Sequence, residues 1–271
     1  MQRTVFFISD GTAITTETLG HSLLTQFPDV SFRQVRIPFV DSPEKADEAV
    51  RKINHACRED GAPAIVFISI IDDDTRAAFY RSDGLPLDLF ADFMDTLENA
   101  LGVSPKATVG RAHGMADAGR YEDRIEATNY ALTHDDGISL DYANADLILV
   151  GISRTGKTPT CLYMALNFGV KAANYPLTRN DLEEQQLPSQ LRSCKSRIIG
   201  LMIDADHLSR IRETRRPGSD YASLRQCHWE ADAAESLLRT AGIEVFDTTH
   251  SSIEEIASRI LAHAGLQREM F

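Results

Sequence analysis

Apolar and polar positions alternate along the chain with two different periods, and the two periods follow each other repeatedly. Short apolar runs, for example at residues 3–9 and 64–71, are typical of strands buried in a sheet. Longer stretches with apolar residues three or four positions apart, as at residues 43–58, are typical of amphipathic helices. The repeated alternation of strand and helix predicts an α/β protein with mostly parallel sheets flanked by helices.

The rest of the chain follows the same alternation. Further strands are predicted at residues 31–39, 146–150, 171–177, 197–203 and 243–246. Further helices are predicted at residues 15–27, 87–101, 121–133, 158–168 and 221–241, and a last helix begins at Ser252. In the helix at residues 15–27 we expect Leu19, Leu23 and Leu24 to face the core.

A phosphate-binding motif lies where the strand at residues 146–150 meets the helix at residues 158–168. The segment Gly151–Thr158 fits the pattern G-x-x-x-x-G-K-S/T at every required position. The glycines let backbone N–H groups turn toward phosphate oxygens, and the helix N-terminus adds a partial positive charge. The alternative is a strand-to-helix turn that binds nothing, and it leaves both the complete motif and its flanks unexplained.

This segment, the 151–158 loop, supplies the predicted nucleotide-binding residues. They are Gly151, Ile152, Ser153, Arg154, Thr155, Gly156, Lys157 and Thr158. Lys157 is expected to reach the outer phosphates, and the Thr158 hydroxyl to ligate Mg²⁺. Arg154 would place a second cation near the phosphates, unless it is a solvated loop arginine. Pro159 is compatible with the first helical turn, because its missing N–H would be unpaired there anyway.

Composition and charge narrow the functional classes. The formal net charge of -12 argues against a general nucleic-acid binder, which needs a basic face to neutralise phosphates. The four cysteines are widely spaced, which predicts buried or half-buried reduced thiols rather than a metal-binding set. No apolar run is long enough for a signal peptide or a membrane span, so we expect a cytoplasmic protein.

Three other polar segments lie beside glycines. The segment at residues 9–17 would hold a second phosphate at a helix start, and capping by Thr12 or Thr15 is an equally good alternative. The segments at residues 110–114 and 134–137 place charge beside glycine, where an aspartate would accept a substrate hydroxyl proton or hold Mg²⁺. On composition alone, surface turns are the better interpretation of these last two segments.

Strand ends and one arginine cluster complete the candidates. Asp204, after the strand at residues 197–203, occupies a position typical of a metal-holding acid, and Asp72 is a weaker example. Both are also ordinary turn residues. A basic patch would meet phosphate or an acidic partner, although a solvated helix end explains it better. Its residues are Arg210, Arg212, Arg215 and Arg216.

Several segments, spread over nearly the whole chain, match one family pattern. They are FISDGTAIT at 7–15, GRAH at 110–113, HDDG at 134–137, GISRTGKTPT at 151–160, KAANYP at 171–176, GL at 200–201, IR at 211–212 and SIEEI at 252–256. They resemble the bacterial phosphoenolpyruvate synthase regulatory proteins, which are grouped with the pyruvate, phosphate dikinase regulatory proteins. Gly156 favours the synthase branch, because the dikinase branch tends to have serine at that position.

The resemblance implies a bifunctional enzyme that regulates phosphoenolpyruvate synthase. Proteins of this kind use ADP to phosphorylate a threonine of the target, which inactivates it. They reverse the step with inorganic phosphate and release pyrophosphate. In this interpretation Lys157 contacts the transferred phosphoryl group, Asp136 is the first candidate for general base or metal holder, and Asp10 is the second.

Three other hypotheses stay open. They are the same chemistry on pyruvate, phosphate dikinase, an ATP-dependent small-molecule kinase, and a non-catalytic nucleotide-sensing adaptor. Residues 1–105 are predicted to form an N-terminal α/β domain, residues 106–140 a connecting segment, and residues 141–271 a P-loop nucleotide-binding domain, with one continuous domain as the alternative. A homodimer is compatible with the sequence, and neither nucleic acid nor membrane is expected as a partner.

Overall fold

Two parallel four-stranded sheets organise the chain, one in each of two units, Met1–Gly114 and Met115–Phe271. The computed structural model describes residues 2–104 and 118–266. The prediction of an α/β fold with parallel sheets flanked by helices is confirmed. The polar segment at residues 110–114 lies outside the described residues.

The first unit places its earliest strand inside the sheet. The strands are β1 (Gln2–Ser9), β2 (Ser31–Ile37), β3 (Ile65–Ser69) and β4 (Leu85–Asp88). They pair in the order β2-β1-β3-β4, and every neighbouring pair is parallel. The helices are α1 (Ile14–Leu24), α2 (Pro43–Asp60), α3 (Asp73–Ala77) and α4 (Ala91–Leu101).

The second unit has the same strand order. The strands are β5 (Leu147–Gly151), β6 (Ala172–Pro176), β7 (Ile198–Met202) and β8 (Val245–Asp247), in the parallel order β6-β5-β7-β8. The helices are α5 (Ala118–Thr133), α6 (Lys157–Phe168), α7 (Arg179–Glu184), α8 (Ser189–Arg192), α9 (Ala205–Arg215), α10 (Leu224–Thr240) and α11 (Ile253–His263).

This strand order determines where each unit can hold a ligand. β1 lies between β2 and β3, and β5 lies between β6 and β7. Because right-handed crossovers to opposite sides of a strand cover opposite faces of the sheet, a crevice opens at the carboxyl end of the central strand. Open α/β sheets bind ligands in that crevice. The 151–158 loop follows β5 directly and therefore lies at this position.

The apolar run of β5 is buried on both faces of its sheet. Ile148 and Val150 pack with residues of α9 and α10, whereas Leu147 and Leu149 pack with residues of α6 and α11. Burial on two faces explains why the strand contains no polar alternation. The strand that leads into the 151–158 loop is thus fixed by packing from both sides.

Helix α1 buries a different face from the predicted one. Leu24 is buried, but Leu19 and Leu23 are 39% and 47% exposed. Gly20 faces the sheet instead, since a Cβ there would lie 2.4 Å from the Phe7 ring and 3.0 Å from the Phe67 ring. Because Gly20 has no side chain, the helix can approach the two aromatic rings closely. The spacing of the leucines does not indicate this buried face.

The predicted helix at residues 87–101 begins later than expected. Leu87 and Asp88 belong to β4, which pairs with β3. The Asp88 carboxylate accepts hydrogen bonds from the N–H groups of Phe90 and Ala91 at 2.9 and 3.0 Å. It therefore satisfies donors at the start of α4 that have no partner inside the helix.

The cysteines are as their spacing predicts, since all four are buried and unpaired. Among the helices of residues 2–104 and 118–266, none is both long and apolar enough to cross a membrane. The same residues contain no group of three or more His, Cys, Asp or Glu side chains that could hold a metal ion.

Candidate functional site

The 151–158 loop begins at a position that only glycine can occupy. A Cβ on Gly151 would lie 2.4 Å from the backbone oxygen of Leu201 on the neighbouring strand. On the other side of the strand, the Gly151 carbonyl accepts a hydrogen bond from the Leu177 N–H at 3.0 Å. Both neighbours are backbone groups, so the sheet itself holds the start of the loop.

Left-handed residues then shape the loop. Arg154 has a φ of 77° and Gly156 a φ of 83°, and α6 begins immediately afterwards at Lys157. Left-handed turns of this kind direct successive N–H groups toward one side, which creates an anion-binding concavity. In the described part of the chain, the N–H groups of residues 153–156 have no backbone or side-chain acceptor. Together with the N-terminus of α6, they form a site suited to phosphate.

Lys157 lies inside this site. It is 4% exposed, and its Nζ donates to the Ile152 carbonyl at 2.8 Å. The Thr155 hydroxyl donates to the same carbonyl at 3.0 Å. Burial lowers the pKa of Lys157 to about 8, while the nearby carboxylates of Asp136 and Asp135 oppose this shift. A desolvated ammonium of this kind interacts strongly with a bound anion.

Thr158 forms a polar cluster with Asp135 and Asn174. Its hydroxyl donates to Asp135 Oδ1 at 2.7 Å, and Asn174 Nδ2 donates to the same oxygen at 2.5 Å. Asn174 Nδ2 also lies 3.0 Å from the Thr158 hydroxyl oxygen. Asn174 is 1% exposed, and its Oδ1 has no hydrogen-bond partner among the described residues. The cluster holds one carboxylate directly against the loop.

Asp136 is placed differently from its neighbour. It is exposed, it has a left-handed φ of 47°, and its Oδ1 lies 3.4 Å from Asn174 Nδ2. Among the charged groups that raise the pKa of Lys157, Asp136 has the largest effect. The polar segment at residues 134–137 therefore lies beside the 151–158 loop and is more than a surface turn.

His134 anchors that segment. Its ring stacks on Tyr130 with 3.9 Å between centroids, and its Nδ1 forms a hydrogen bond with the Tyr130 carbonyl at 2.9 Å. Its own carbonyl accepts from the Asn174 N–H at 3.0 Å. The imidazole thus attaches the segment to α5, and the backbone carbonyl of His134 attaches it to β6.

A fully buried arginine lies on the opposite side of the loop. Arg212 of α9 is 0% exposed, which makes the expectation of a solvated helix end wrong for this residue. Its Nη2 donates to the Ser153 carbonyl at 3.2 Å and to Glu230 Oε2 at 2.6 Å. The helical spacing to Leu208 and Ala205, which are also buried, was the signal that could have revealed it.

The other strand-end acids stabilise local structure. Asp204 caps α9 by accepting from the His207 N–H at 3.0 Å, and Asp72 caps α3 by accepting from the Thr75 N–H at 2.9 Å. These contacts match the turn-residue interpretation of both. Asp10 belongs to the first unit, and its Oδ2 accepts from the Ile71 N–H at 2.9 Å. The 151–158 loop, Asp135 and Asp136 all belong to the second unit.

The polar segment at residues 9–17 is not capped by either threonine. The N-cap of α1 is Ala13, which has a φ of 62° and makes no side-chain cap. The Thr12 hydroxyl is buried and has no hydrogen-bond partner among the described residues. The prediction of capping by Thr12 or Thr15 is therefore wrong, and the prediction of a phosphate there stays a prediction.

Comparisons with known proteins cover nearly the entire chain. A family model described as kinase/pyrophosphorylase matches residues 5–261. A protein of Azoarcus sp. is 52% identical over 268 residues, covering 98% of this chain and 97% of its own length. Proteins of Pseudomonas aeruginosa and Alcanivorax borkumensis are each 49% identical, covering 99% and 100% of this chain and 98% and 100% of their own lengths. All three are named "Putative phosphoenolpyruvate synthase regulatory protein".

Proposed function

The chain belongs to the kinase/pyrophosphorylase family, and we propose that it regulates phosphoenolpyruvate synthase by reversible phosphorylation of a threonine. In the inactivating direction the β-phosphoryl group of ADP passes to the threonine hydroxyl, which leaves AMP. In the activating direction inorganic phosphate attacks the phosphothreonine, which frees the hydroxyl and releases pyrophosphate. The names of the relatives support the target, and the family description supports the two reactions.

One observation supports this proposal above the others. The buried ammonium of Lys157 lies beside a loop whose N–H groups at residues 153–156 have no acceptor among the described residues, and the carboxylates of Asp136 and Asp135 act on it electrostatically. Phosphoryl transfer needs cations and N–H donors around the phosphates, and a base for the attacking hydroxyl. The nucleotide is held by residues 151–158 in this proposal, with Lys157 on the transferred group.

Asp136 is the proposed general base. The Asp135 carboxylate is held by Thr158 and Asn174. The Asp136 carboxylate is exposed, and among the described residues its side-chain hydrogen-bond contact is a long one of 3.4 Å to Asn174. An exposed carboxylate beside the loop can receive a proton from a threonine that enters from solvent. Asp10 is the second candidate, and the kcat of an Asp10→Asn variant tests it.

Thr158 and Asp135 would hold Mg²⁺. Hydroxyl and carboxylate oxygens are the hard ligands that this ion prefers, and the pair lies 2.7 Å apart beside the phosphate site. When bound, the ion would neutralise charge on the phosphates. Asn174 would keep both oxygens in place through its hydrogen bonds to each of them.

The test uses ADP labelled on its β-phosphate, purified phosphoenolpyruvate synthase and this protein. We expect label on a threonine of the synthase, loss of synthase activity, and AMP in equal amount. Addition of inorganic phosphate without ADP should remove the label as pyrophosphate and restore activity. No label on a catalytically competent synthase would refute the proposal.

The same assay separates the alternatives. Pyruvate, phosphate dikinase offered in competition should be labelled more slowly, because Gly156 favours the synthase branch. An ATP-dependent small-molecule kinase would turn over ATP without any protein substrate. A nucleotide-sensing adaptor would bind ADP and transfer nothing. We place the activity in the cytoplasm, and fractionation of cells for the labelled synthase checks that expectation.

A further inference from the structure

Arg212 uses its guanidinium to join three parts of the second unit. Nη2 donates to the Ser153 carbonyl at 3.2 Å and to Glu230 at 2.6 Å, and Nη1 donates to the Tyr221 carbonyl at 3.1 Å. The side chain is completely buried, although its helix is otherwise rich in exposed charges. A buried cation needs such partners, because burial removes its hydration.

The contact with Ser153 has a consequence for the loop. The Ser153 carbonyl and the Arg154 N–H belong to one planar trans peptide, so they point in opposite directions. When Arg212 holds the carbonyl on its side, the Arg154 N–H must point away from α9, toward the inside of the loop. Arg154 has a φ of 77°, which is unfavourable for a residue with a side chain and persists only if neighbouring groups hold it.

Tyr221 holds the same loop residue from a second direction. Its hydroxyl lies 2.9 Å from the Ser153 hydroxyl, and its ring lies under the Arg212 guanidinium at 4.1 Å from the ring centroid. Glu230 keeps the arginine in place and is itself held by Gln226 Nε2 at 3.0 Å. The main chain and the side chain of Ser153 are thus both held by one network of half-buried groups around the buried Arg212 side chain.

We propose that Arg212 is a positioning residue that orients the Ser153–Arg154 peptide for phosphate binding. The inference rests on the proposed function, because it assigns the N–H groups of the 151–158 loop to ADP and inorganic phosphate. Both ligands would use the same Arg154 N–H, so both affinities depend on Arg212. The transfer step itself uses Lys157 and Asp136, which do not contact Arg212 in the hydrogen bonds of the described residues. The kcat at saturating ADP should therefore depend on Arg212 much less than the affinities do.

The experiment compares wild type with Arg212→Met, Arg212→Lys and Arg215→Met. Binding of ADP and of inorganic phosphate is measured by titration calorimetry, and folding by thermal unfolding. Arg212→Met should weaken both ligands by roughly ten- to hundred-fold, the effect of one lost hydrogen bond to a charged group. Arg215→Met changes an exposed arginine of the same helix and should leave both affinities unchanged.

Arg212→Lys separates positioning from general stability. A lysine keeps the charge beside Glu230, but it is shorter than arginine and has one terminal nitrogen in place of two. It therefore cannot keep the Tyr221 contact of Nη1 together with the Ser153 contact of Nη2. We expect its melting temperature to return near the wild-type value while both affinities stay weakened. If Arg212→Lys recovers both its melting temperature and its affinities, the inference is overturned. Because this test compares Arg212→Lys with wild type, it holds even if Arg212→Met does not fold.

The outcomes also distinguish this inference from the proposed function. Wild-type protein that binds neither ADP nor phosphate overturns the proposed function and this inference with it. Wild-type protein that binds both, together with a folded Arg212→Met variant of unchanged affinity, overturns this inference alone. An Arg212→Met variant with a lower kcat and an unchanged KM for ADP overturns the inference as well. Arg212 would then affect the transfer step and not the binding of phosphate.

Discussion

A strand-to-helix turn at the point where the strand order of a sheet reverses occurs after β1 and after β5, and we propose that the second of these turns carries the phosphoryl transfer. Each turn leaves the strand around which the order of its sheet reverses, and each leads to a helix whose N-cap is left-handed, Ala13 at 62° and Gly156 at 83°. The first helical residue differs. It is Ile14, 50% exposed, in one unit and Lys157, 4% exposed, in the other.

The difference shows that topology supplies a position and side chains supply the chemistry. Both positions offer the amino end of a helix at the switch point of a parallel sheet. In the first turn the Asp10 carboxylate binds the backbone of Ile71. In the second, a buried ammonium and an acid pair face the same loop. We therefore assign the transfer reaction to the second unit.

The largest expected effect comes from removing the ammonium. Lys157→Met should lower kcat/KM for ADP-dependent labelling at least about a thousand-fold, because the developing charge on the phosphoryl group loses its cation. The matched change in the first turn, Ile14→Met, should stay within roughly two-fold of wild type. Steady-state labelling of the synthase measures both. If kcat/KM fell equally in Lys157→Met and Ile14→Met, the proposed functional difference between the two turns would be wrong.

The next effect concerns the base. Asp136→Asn should lower kcat by about a hundred- to a thousand-fold with little change in ADP affinity, since it removes proton acceptance and not phosphate binding. Asp10→Asn should alter kcat only a few-fold by the same measure. Single-turnover kinetics give both values. The reverse ranking of the two variants would transfer the role of base to the first unit.

A smaller effect concerns the stability of the second turn. Gly151→Ala would press a Cβ against the Leu201 backbone and should reduce the free energy of unfolding by about 3 kcal/mol. In Gly156→Ala the added Cβ would meet no atom of the described residues within 4 Å. The strain of the φ of 83° is then the expected cost, about 1 kcal/mol. Urea denaturation of the two variants measures the difference. A Gly151→Ala protein as stable as wild type would show that the strand can move.

The smallest effect is a pH dependence of ADP affinity. Burial lowers the pKa of Lys157 to about 8, and its charged ammonium form attracts phosphate more strongly than its neutral amine form. Affinity should be constant below that pH and fall about ten-fold per unit above it, where the phosphates are already ionised. Calorimetric titration across this range at fixed ionic strength tests it, and the weaker binding of Lys157→Met should be independent of pH.

The same pKa shift predicts how Lys157 affects stability. Between about pH 8 and the ordinary lysine pKa of 10.5, the unfolded chain holds a proton on Lys157 that the folded chain has lost. Lys157 should therefore make the free energy of unfolding rise with pH in that interval. Lys157→Met should lack the rise, which thermal melts in the same buffers would show.

The parts of the fold that follow from periodicity could be predicted from the sequence. The run Leu147–Val150 is apolar at every position because both faces of β5 are covered, and the motif after it locates the turn. The face of α1 could not be predicted in this way, because Gly20 contributes to packing through the side chain it lacks.

The partners around the loop were harder to predict because they are distant in sequence. The sequence does not indicate that Asp135 is held by Thr158 while Asp136 is exposed, since the two acids are adjacent and chemically alike. Asn174 and Arg212 reach the loop from β6 and α9. Both lie in segments that match the family pattern, but those short segments do not indicate a contact with the loop. Such contacts depend on how the elements pack, which a motif search does not see.

The most direct test of the central assignment is backbone hydrogen exchange with and without saturating ADP, resolved to short peptides. ADP should slow the exchange of amides in residues 153–158, because their N–H groups would then donate to phosphate oxygens. At the same ADP concentration the slowing should be much smaller in Lys157→Met, because this variant binds ADP more weakly. Wild-type exchange across residues 151–158 that ADP leaves unchanged would contradict the account.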